Sequence, residues 1–505
     1  MNKIVVKHSC IEINDYTLGD SPKLEYMFTI YDPLYHTTYF KGIEYREEEK
    51  KLILPRGMDI FLLERIFMTQ AYIDYKHDPY DHTEPIMISY LPRNEVQKTA
   101  LRFILGEGEY KYTQTRSALS VNLNTGGGKT YVSIAAISFL CIKSIVITSS
   151  IKWLEQWKDR ILEYTDILPN EIYMITGAPS IQSLLKGRKD VSKFKIFLAS
   201  HSTIKSYGDK YGWDQVGELF KILRVGIKIY DEAHLNFDNI YRIDYNTNTY
   251  KTIYLTATPA RSNREENDIF QIYHKNIPAI DLFDEENDPR TQYMAFRYNS
   301  HPEPMDITRC KNQYGFDRNK YVSYVVNQEN FYNMLHVLID IIKYRLGKTL
   351  IYIGINECID IVYHWIIENY PELSNDVGIY NGKTDEKEKD KVLNKKIILS
   401  NTKTAGAAMD IKDLKMTIVL AEPFKSSVLA RQTLGRTRDQ NTYYIDIVDD
   451  GFYYTKRYYA QKKPVFEKYA TKCIETTFTD IDLEQRVEKI MDFREKSVRP
   501  IQYLE

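Results

Sequence analysis

NLNTGGGKTYVSIAAISF, residues 122–139, decides the fold. An apolar run, SALSVNL, ends at Leu123. Asn124 to Gly128 follow, including three consecutive glycines, and Lys129-Thr130 open a helical pattern. A phosphate loop has these parts in this order. Its backbone N–H groups point inward, so bulky side chains are absent. A lysine reaches the phosphates, a hydroxyl holds magnesium, and a helix N-terminus stands behind. One departure is plain: the strict pattern Gly-x-x-x-x-Gly-Lys-Thr has glycine where this chain has Leu123. A bare glycine turn before a buried helix is the competing reading.

The next motif decides between the two. VGIKIYDEAH is an apolar strand ending in Asp231-Glu232-Ala233-His234. A carboxylate at such a strand end holds magnesium, and its neighbour orients and deprotonates a water. An acidic turn alone would be unremarkable; after a phosphate loop in the same series of strands it is not. A third strand, TIYLTATPARSN, ends in Thr256-Ala257-Thr258-Pro259. Its hydroxyls are candidates to relay the state of the γ-phosphate, although a plain threonine turn before proline fits the residues equally well.

Around these motifs, strands alternate with helices. SALSVNL, SIVITS, KIFLAS, VGIKIYD and KTIYLTAT read as strands, and KTYVSIAAISFL and KWLEQWKDRILEY as helices. That alternation predicts βαβ units and a parallel sheet over residues 86–285. The acidic stretch DLFDEENDPRT, residues 281–291, is a candidate boundary. A second α/β unit follows over residues 286–505, with KTLIYIG, KKIILS, KMTIVLA and TYYIDIV as strands and NFYNMLHVLIDIIKY and NECIDIVYHWIIENY as helices before and after the first of them. Residues 302–328 read as an insertion or long loop, and the tail from about residue 455 as helical. Residues 1–85 read as a separate α+β unit. There IVVKHSCIEI and EYMFTIYD alternate like half-buried strands, and KKLILPRGMDIFLLERIF gives strand, turn and helix. HDPYDHTEP, residues 77–85, reads as a linker.

Composition sets the outer limits. The 505 residues are 43% hydrophobic with net charge −1, so a nucleic-acid partner requires positive charge gathered locally. Cys10, Cys141, Cys310, Cys358 and Cys473 are scattered without a Cys-x-x-Cys pair, and the ten histidines form no ligand cluster. A reducing, cytoplasmic setting is expected. The apolar window SIAAISFLCI stops at Lys143, short of a membrane span, and no membrane partner is expected. The 42 tyrosines, with many Lys, Asn and Ile, point to an AT-rich genome such as a phage or large virus; the compartment is then the host cell cytoplasm.

GGGKT, DEAH and TATPAR, in that order across one α/β unit, resemble the superfamily-two helicases and translocases. SSIKWLEQWKDRI resembles the first strand-contacting motif of that class, in the Gln-Trp form of XPB-like and phage UvsW-like DNA motors. LASHSTI resembles the next such motif, and RNEVQKTAL the upstream glutamine motif. In the second unit NTKTAGAAMDIKDL resembles the Gly-x-Gly-Leu-Asp motif and ARQTLGRTRDQ the Gln-x-x-Gly-Arg motif. The resemblance spans roughly residues 90–450.

It implies two tandem RecA-like parallel-sheet domains behind a small N-terminal α+β accessory domain, with ATP and Mg2+ as cofactors. It gives Gln97 the reading of adenine. Thr125, Gly126, Gly127, Gly128 and Lys129 bind the phosphates, joined by Gly406 and Asp410 of the second unit. Thr130 and Asp231 hold the metal, and Glu232 prepares the water. His234, Thr256 and Thr258 couple hydrolysis to movement. Gln432 with Arg436 and Arg438 complete the catalytic set. Relatives carry Gln-x-x-Gly-Arg-x-x-Arg, but here Asp439 stands at the last position. Which of Arg436 and Arg438 is the arginine finger, a role that contributes roughly 10³- to 10⁵-fold in rate, stays open.

The implied track is a nucleic-acid backbone, with Ser149, Ser150, Ser200, Ser202 and Thr402 as candidate phosphate contacts. DNA, single-stranded, duplex or branched, is favoured over RNA because SSIKWLEQW lacks the Pro-Thr-Arg-Glu-Leu form of RNA remodellers. The implied activity is an ATP-dependent DNA helicase acting on branched DNA in phage or viral replication, recombination or repair. Two readings stand beside it: a transcript-release factor of the poxvirus type, with transcription proteins as partners, and a nucleic-acid-binding scaffold without hydrolysis.

Overall fold

The computed structural model describes residues 3–32, 36–123, 127–233, 237–256, 264–282, 291–313, 315–343, 347–382, 384, 386–405, 411–434 and 442–477. The chain divides into two compact units, Met1–Glu286 and Asn287–Glu505.

The first unit begins with a small sheet. Its strands are β1 (Ile4–Lys7), β2 (Cys10–Asn14), β5 (Glu44–Arg46), β6 (Lys51–Pro55) and β7 (Ala71–Asp74), in the order β5-β6-β2-β1-β7. A hairpin of β3 (Thr29–Asp32) and β4 (Thr37–Phe40) lies between β2 and β5 in sequence. The expected strand, turn and helix over KKLILPRGMDIFLLERIF are β6 and the helix Ile60–Phe67, which Asp59 caps by accepting from the Phe61 N–H. EYMFTIYD is not one strand: Pro22–Tyr26 is helical and only Thr29–Asp32 is extended. Pro22 at the first helical turn, where no N–H is needed, accounts for the start.

A seven-stranded sheet follows: β8 (Ala118–Asn122), β9 (Ser144–Thr148), β10 (Ile172–Ile175), β11 (Ile196–Ser200), β12 (Ile227–Tyr230), β13 (Lys251–Thr256) and β14 (Ala279–Asp281). Its order is β10-β11-β9-β12-β13-β8-β14, and every pairing is parallel. The strands are apolar along their length because helices cover both faces. The small N-terminal sheet shares a core with one of those faces: Ile4, Leu52, Leu54 and Leu63 belong to the same apolar cluster as Tyr230, Phe237, Tyr254 and Tyr273. Residues 77–85 are pinned rather than loose. Asp81 pairs with Lys143 and Arg224, and the Thr83 N–H donates to the Cys141 carbonyl.

In the second unit β15 (Thr291–Tyr298), β18 (Lys348–Ile353), β19 (Val377–Ile379), β20 (Ile397–Ser400), β21 (Leu414–Ala421), β22 (Thr442–Asp449) and β23 (Lys472–Thr477) form another parallel sheet of seven. Its order is β19-β20-β18-β21-β22-β15-β23. Both large sheets are RecA-like, in tandem, as the motif order implied. Residues 302–328 are not a long loop. They hold the helix Pro304–Arg309, a hairpin of β16 (Lys311–Asn312) and β17 (Gly315–Phe316), and the helix Arg318–Val325. Nor is the tail helical throughout: after the helix Tyr453–Tyr469 the chain returns as β23 along β15. Among the described residues no helix is long and apolar enough to cross a membrane.

Candidate nucleotide site

Three adjacent strands, β8, β13 and β12, bring the site together at their C-terminal ends, where parallel α/β sheets bind ligands. After β8 the chain turns through Gly127 and Gly128 into the helix Lys129–Leu140. That helix is buried on nearly every side, so its N-terminus is fixed. Gly128 has φ +91°, a left-handed conformation suited to glycine. A Cβ there would also lie 2.1 Å from Gln97 Nε2.

Gln97 is buried in the first turn of the helix Glu95–Leu105, which Asn94 caps through the Gln97 N–H. Its Nε2 donates to the Gly127 carbonyl at 3.2 Å, and its Oε1 accepts from the Arg93 N–H at 2.9 Å. Gln97 therefore braces the glycine turn.

The Lys129 side chain is buried. Its Nζ lies 3.5 Å from Glu232 Oε1 and donates to the Leu123 carbonyl at 3.3 Å. Thr130 follows in the same helical turn. At the end of β12 the Asp231 N–H donates to the Ile147 carbonyl at 3.0 Å, and the Ala233 N–H to the Leu255 carbonyl at 2.8 Å. The strand end is thus held from both sides, with Glu232 between at φ +52°, an unusual conformation for a residue with a side chain. Such backbone outliers gather at functional sites.

Burial, reinforced by the Glu232 carboxylate, pushes Asp231 above the usual carboxylate range. Trp157 opposes this: its indole N–H donates to Asp231 Oδ2 at 2.8 Å. The sequence set Trp157 in the Gln-Trp form of a strand-contacting motif, and nothing in that motif's spacing pointed to a bond with this carboxylate.

The Lys129, Asp231, Glu232, Gly127, Gly128, Gln97 and Thr130 backbones or side chains thus cluster around one strand-to-helix turn. Thr125, Gly126, His234, Thr258, Gly406, Asp410, Arg436 and Arg438 lie outside the described residues, as does the Gln432 side chain. Thr256, at the end of β13, accepts the Leu123 N–H on its carbonyl.

Three of the candidate strand-contacting hydroxyls, Ser200, Ser202 and Thr402, are engaged within the chain, the first two with each other at 2.9 Å. Ser200 is buried and caps the helix His201–Tyr211 by accepting from the Thr203 N–H. The Thr402 N–H donates to Glu422 Oε2 at 2.9 Å, and its hydroxyl bonds to Glu422 Oε1.

Residues 91–261 match the family described as "Type III restriction enzyme, res subunit". The DNA 3'-5' helicase XPB of Kineococcus radiotolerans is 28% identical over 152 residues, 30% of this chain and 25% of that protein. The XPB helicase/translocase subunit of the general transcription and DNA repair factor IIH of Enterocytozoon bieneusi is 27% identical over 256 residues, 47% and 41% of the two chains. The chain resembles the superfamily-two helicases. It spans a quarter to about two fifths of the length of these curated relatives.

Among solved structures, S. cerevisiae Dbp5 bound to RNA and ADP BeF3 superposes with TM-score 0.54 at 13% identity, covering 80% of this chain and 93% of that one. A fragment of an HsdR subunit of a type I restriction enzyme from Vibrio vulnificus gives 0.52 at 16% identity, covering 78% and 70%. At these identities the two structures speak to the fold alone.

Proposed function

We propose that this chain is an ATP-dependent DNA helicase or translocase that remodels branched DNA in phage or viral replication, recombination or repair. The observation that carries the proposal is the buried Lys129 ammonium, 3.5 Å from Glu232 and beside a glycine turn that Gln97 packs too closely for a Cβ at Gly128. A lysine, two carboxylates and a helix N-terminus at one point suit a nucleoside triphosphate with Mg2+.

Gly127, Gly128 and the first turn of Lys129–Leu140 present N–H groups to the phosphates. Lys129 leaves Glu232 for the phosphates when nucleotide enters, and Glu232 then accepts a proton from the attacking water. Thr130 and Asp231 hold magnesium, which supplies positive charge against the charge developing on the phosphoryl oxygens. Gln97 keeps the loop in shape and has an amide edge toward which adenine is proposed to bind. Arg436 and Arg438 are the candidates for the arginine that neutralises the transition state. DNA as the track rests on the named activity of the XPB relatives and on the Gln-Trp form of SSIKWLEQW.

The test is ATP hydrolysis measured with single-stranded, duplex and forked DNA and with RNA, each at two salt concentrations, since affinity for a polyanion has no meaning without the salt. Forked DNA should stimulate most. Lys129→Ala should abolish hydrolysis and leave DNA binding in place. Hydrolysis unchanged in that variant refutes the site, and stimulation by RNA alone refutes the track.

A further inference from the structure

Asp231 is held twice by one continuous stretch of chain. Its backbone N–H donates to Ile147 of β9 at 3.0 Å, and its Oδ2 accepts from Trp157, on the helix that follows β9, at 2.8 Å. Between these two anchors lies the turn Ser149–Ser150–Ile151, where the chain leaves the sheet. Trp157 is 2% exposed, so the donor end of this bond is shielded from competing water, while Asp231 is half-buried. A tryptophan buried for packing alone needs only some partner for its N–H. This one is directed at the carboxylate proposed to hold the metal.

We propose that Trp157 is a positioning residue for Asp231. Its indole N–H fixes one carboxylate oxygen, sets the orientation of the other, and joins the metal-binding residue to the β9 turn and its helix. A displacement of the Ser149–Ser150 turn, whether by a bound strand or otherwise, reaches Asp231 through two hydrogen bonds, one from backbone to backbone and one through the Trp157 indole. The aromatic face of the helix Lys152–Tyr164 is then not only core. The inference rests on the nucleotide-site reading above and adds a residue to it.

Calorimetric titration with ATPγS, with magnesium and with EDTA, tests it. Trp157→Phe keeps the ring and most of the packing but removes the donor. It should lower the magnesium-dependent gain in affinity roughly 10-fold while leaving affinity in EDTA unchanged, as expected for a hydrogen bond to a charged group. A merely structural role would lower both alike. Asp231→Asn should lose the same gain, and Trp157→Phe should add nothing further in that background. An intact magnesium gain in Trp157→Phe, or full additivity with Asp231→Asn, overturns the proposal.

A second measurement uses the native side chain. The chain has four tryptophans. The indole N–H resonance that Asp231→Asn displaces should move in the wild-type chain on adding magnesium with ATPγS, and not with ATPγS in EDTA. A resonance that stays fixed overturns the proposal. A wild-type chain that gains nothing from magnesium is a different result: it overturns the nucleotide-site reading itself.

Discussion

Gly128→Ala is expected to damage the site in two separable ways. At φ +91° an alanine is strained by about 1–2 kcal/mol, because its Cβ crowds the neighbouring carbonyl. The same Cβ would lie 2.1 Å from Gln97 Nε2. A long side chain can usually swing away, but Gln97 is buried and bonded at both ends of its amide. Moving it forfeits two hydrogen bonds at about 1 kcal/mol each. The sum is about 3–4 kcal/mol.

In a Gln97→Ala background the obstruction is gone and only the backbone strain remains, about 1–2 kcal/mol. The two substitutions should therefore couple by about 2 kcal/mol. Urea unfolding followed by tryptophan emission measures this, since Trp153, Trp157 and Trp213 lie in the first unit and Trp365 alone in the second. Nucleotide affinity should fall in Gly128→Ala. Equal costs of Gly128→Ala in both backgrounds would refute the contact between Gln97 and the loop.

Acid should unfold the first unit early. Burial lowers His8, His201 and His274 from the ordinary 6.5 to about 4. The unfolded chain therefore binds protons that the native chain refuses, and stability falls as pH drops from about 6.5 toward 4, by about 2 kcal/mol per histidine at pH 5. Urea midpoints at pH 7.5 and 5 check this, and a flat profile would refute it. Lys228 and Asp244 form a fully buried pair at 2.6 Å, with the hydroxyls of Tyr230, Tyr254 and Tyr273 on the same carboxylate. Lys228→Met should cost at most about 3 kcal/mol, because Arg56 at 3.8 Å and the three hydroxyls still face Asp244, and Asp244→Asn in that background should restore part of it, read by thermal unfolding. Gly57→Ala would set a Cβ 2.2 Å from the Tyr273 carbonyl, which cannot swing aside. It should cost about 1–3 kcal/mol and expose the chain around Lys76 to trypsin, because that close approach docks the N-terminal sheet.

The residues that could be read in advance are those whose type the chemistry dictates. Lys129, Asp231 and Glu232 announce themselves because few other side chains can serve a phosphate, a metal and a water at strand ends. β8, β9, β11, β12 and β13 were legible for a simpler reason: sandwiched between helices, they are nearly unbroken apolar runs. β23, KCIETT, is polar and half exposed, and no period in it signals a strand; its place comes from pairing along β15. β14 and β19 are three residues each, too short to carry a pattern.

The bond from Trp157 to Asp231 failed to show for a related reason. The acceptor lies 74 residues on, and only the order β9-β12 in the sheet brings the two together. Gln97 was expected at the site, but its bonds to Gly127 and Arg93 were not legible, since they depend on where the helix Glu95–Leu105 docks. Reactive groups are thus written locally, whereas the groups that hold them still are chosen by topology. The double-variant experiments on Gly128 with Gln97 and on Trp157 with Asp231 both act on those contacts, where motif matching alone predicts no coupling.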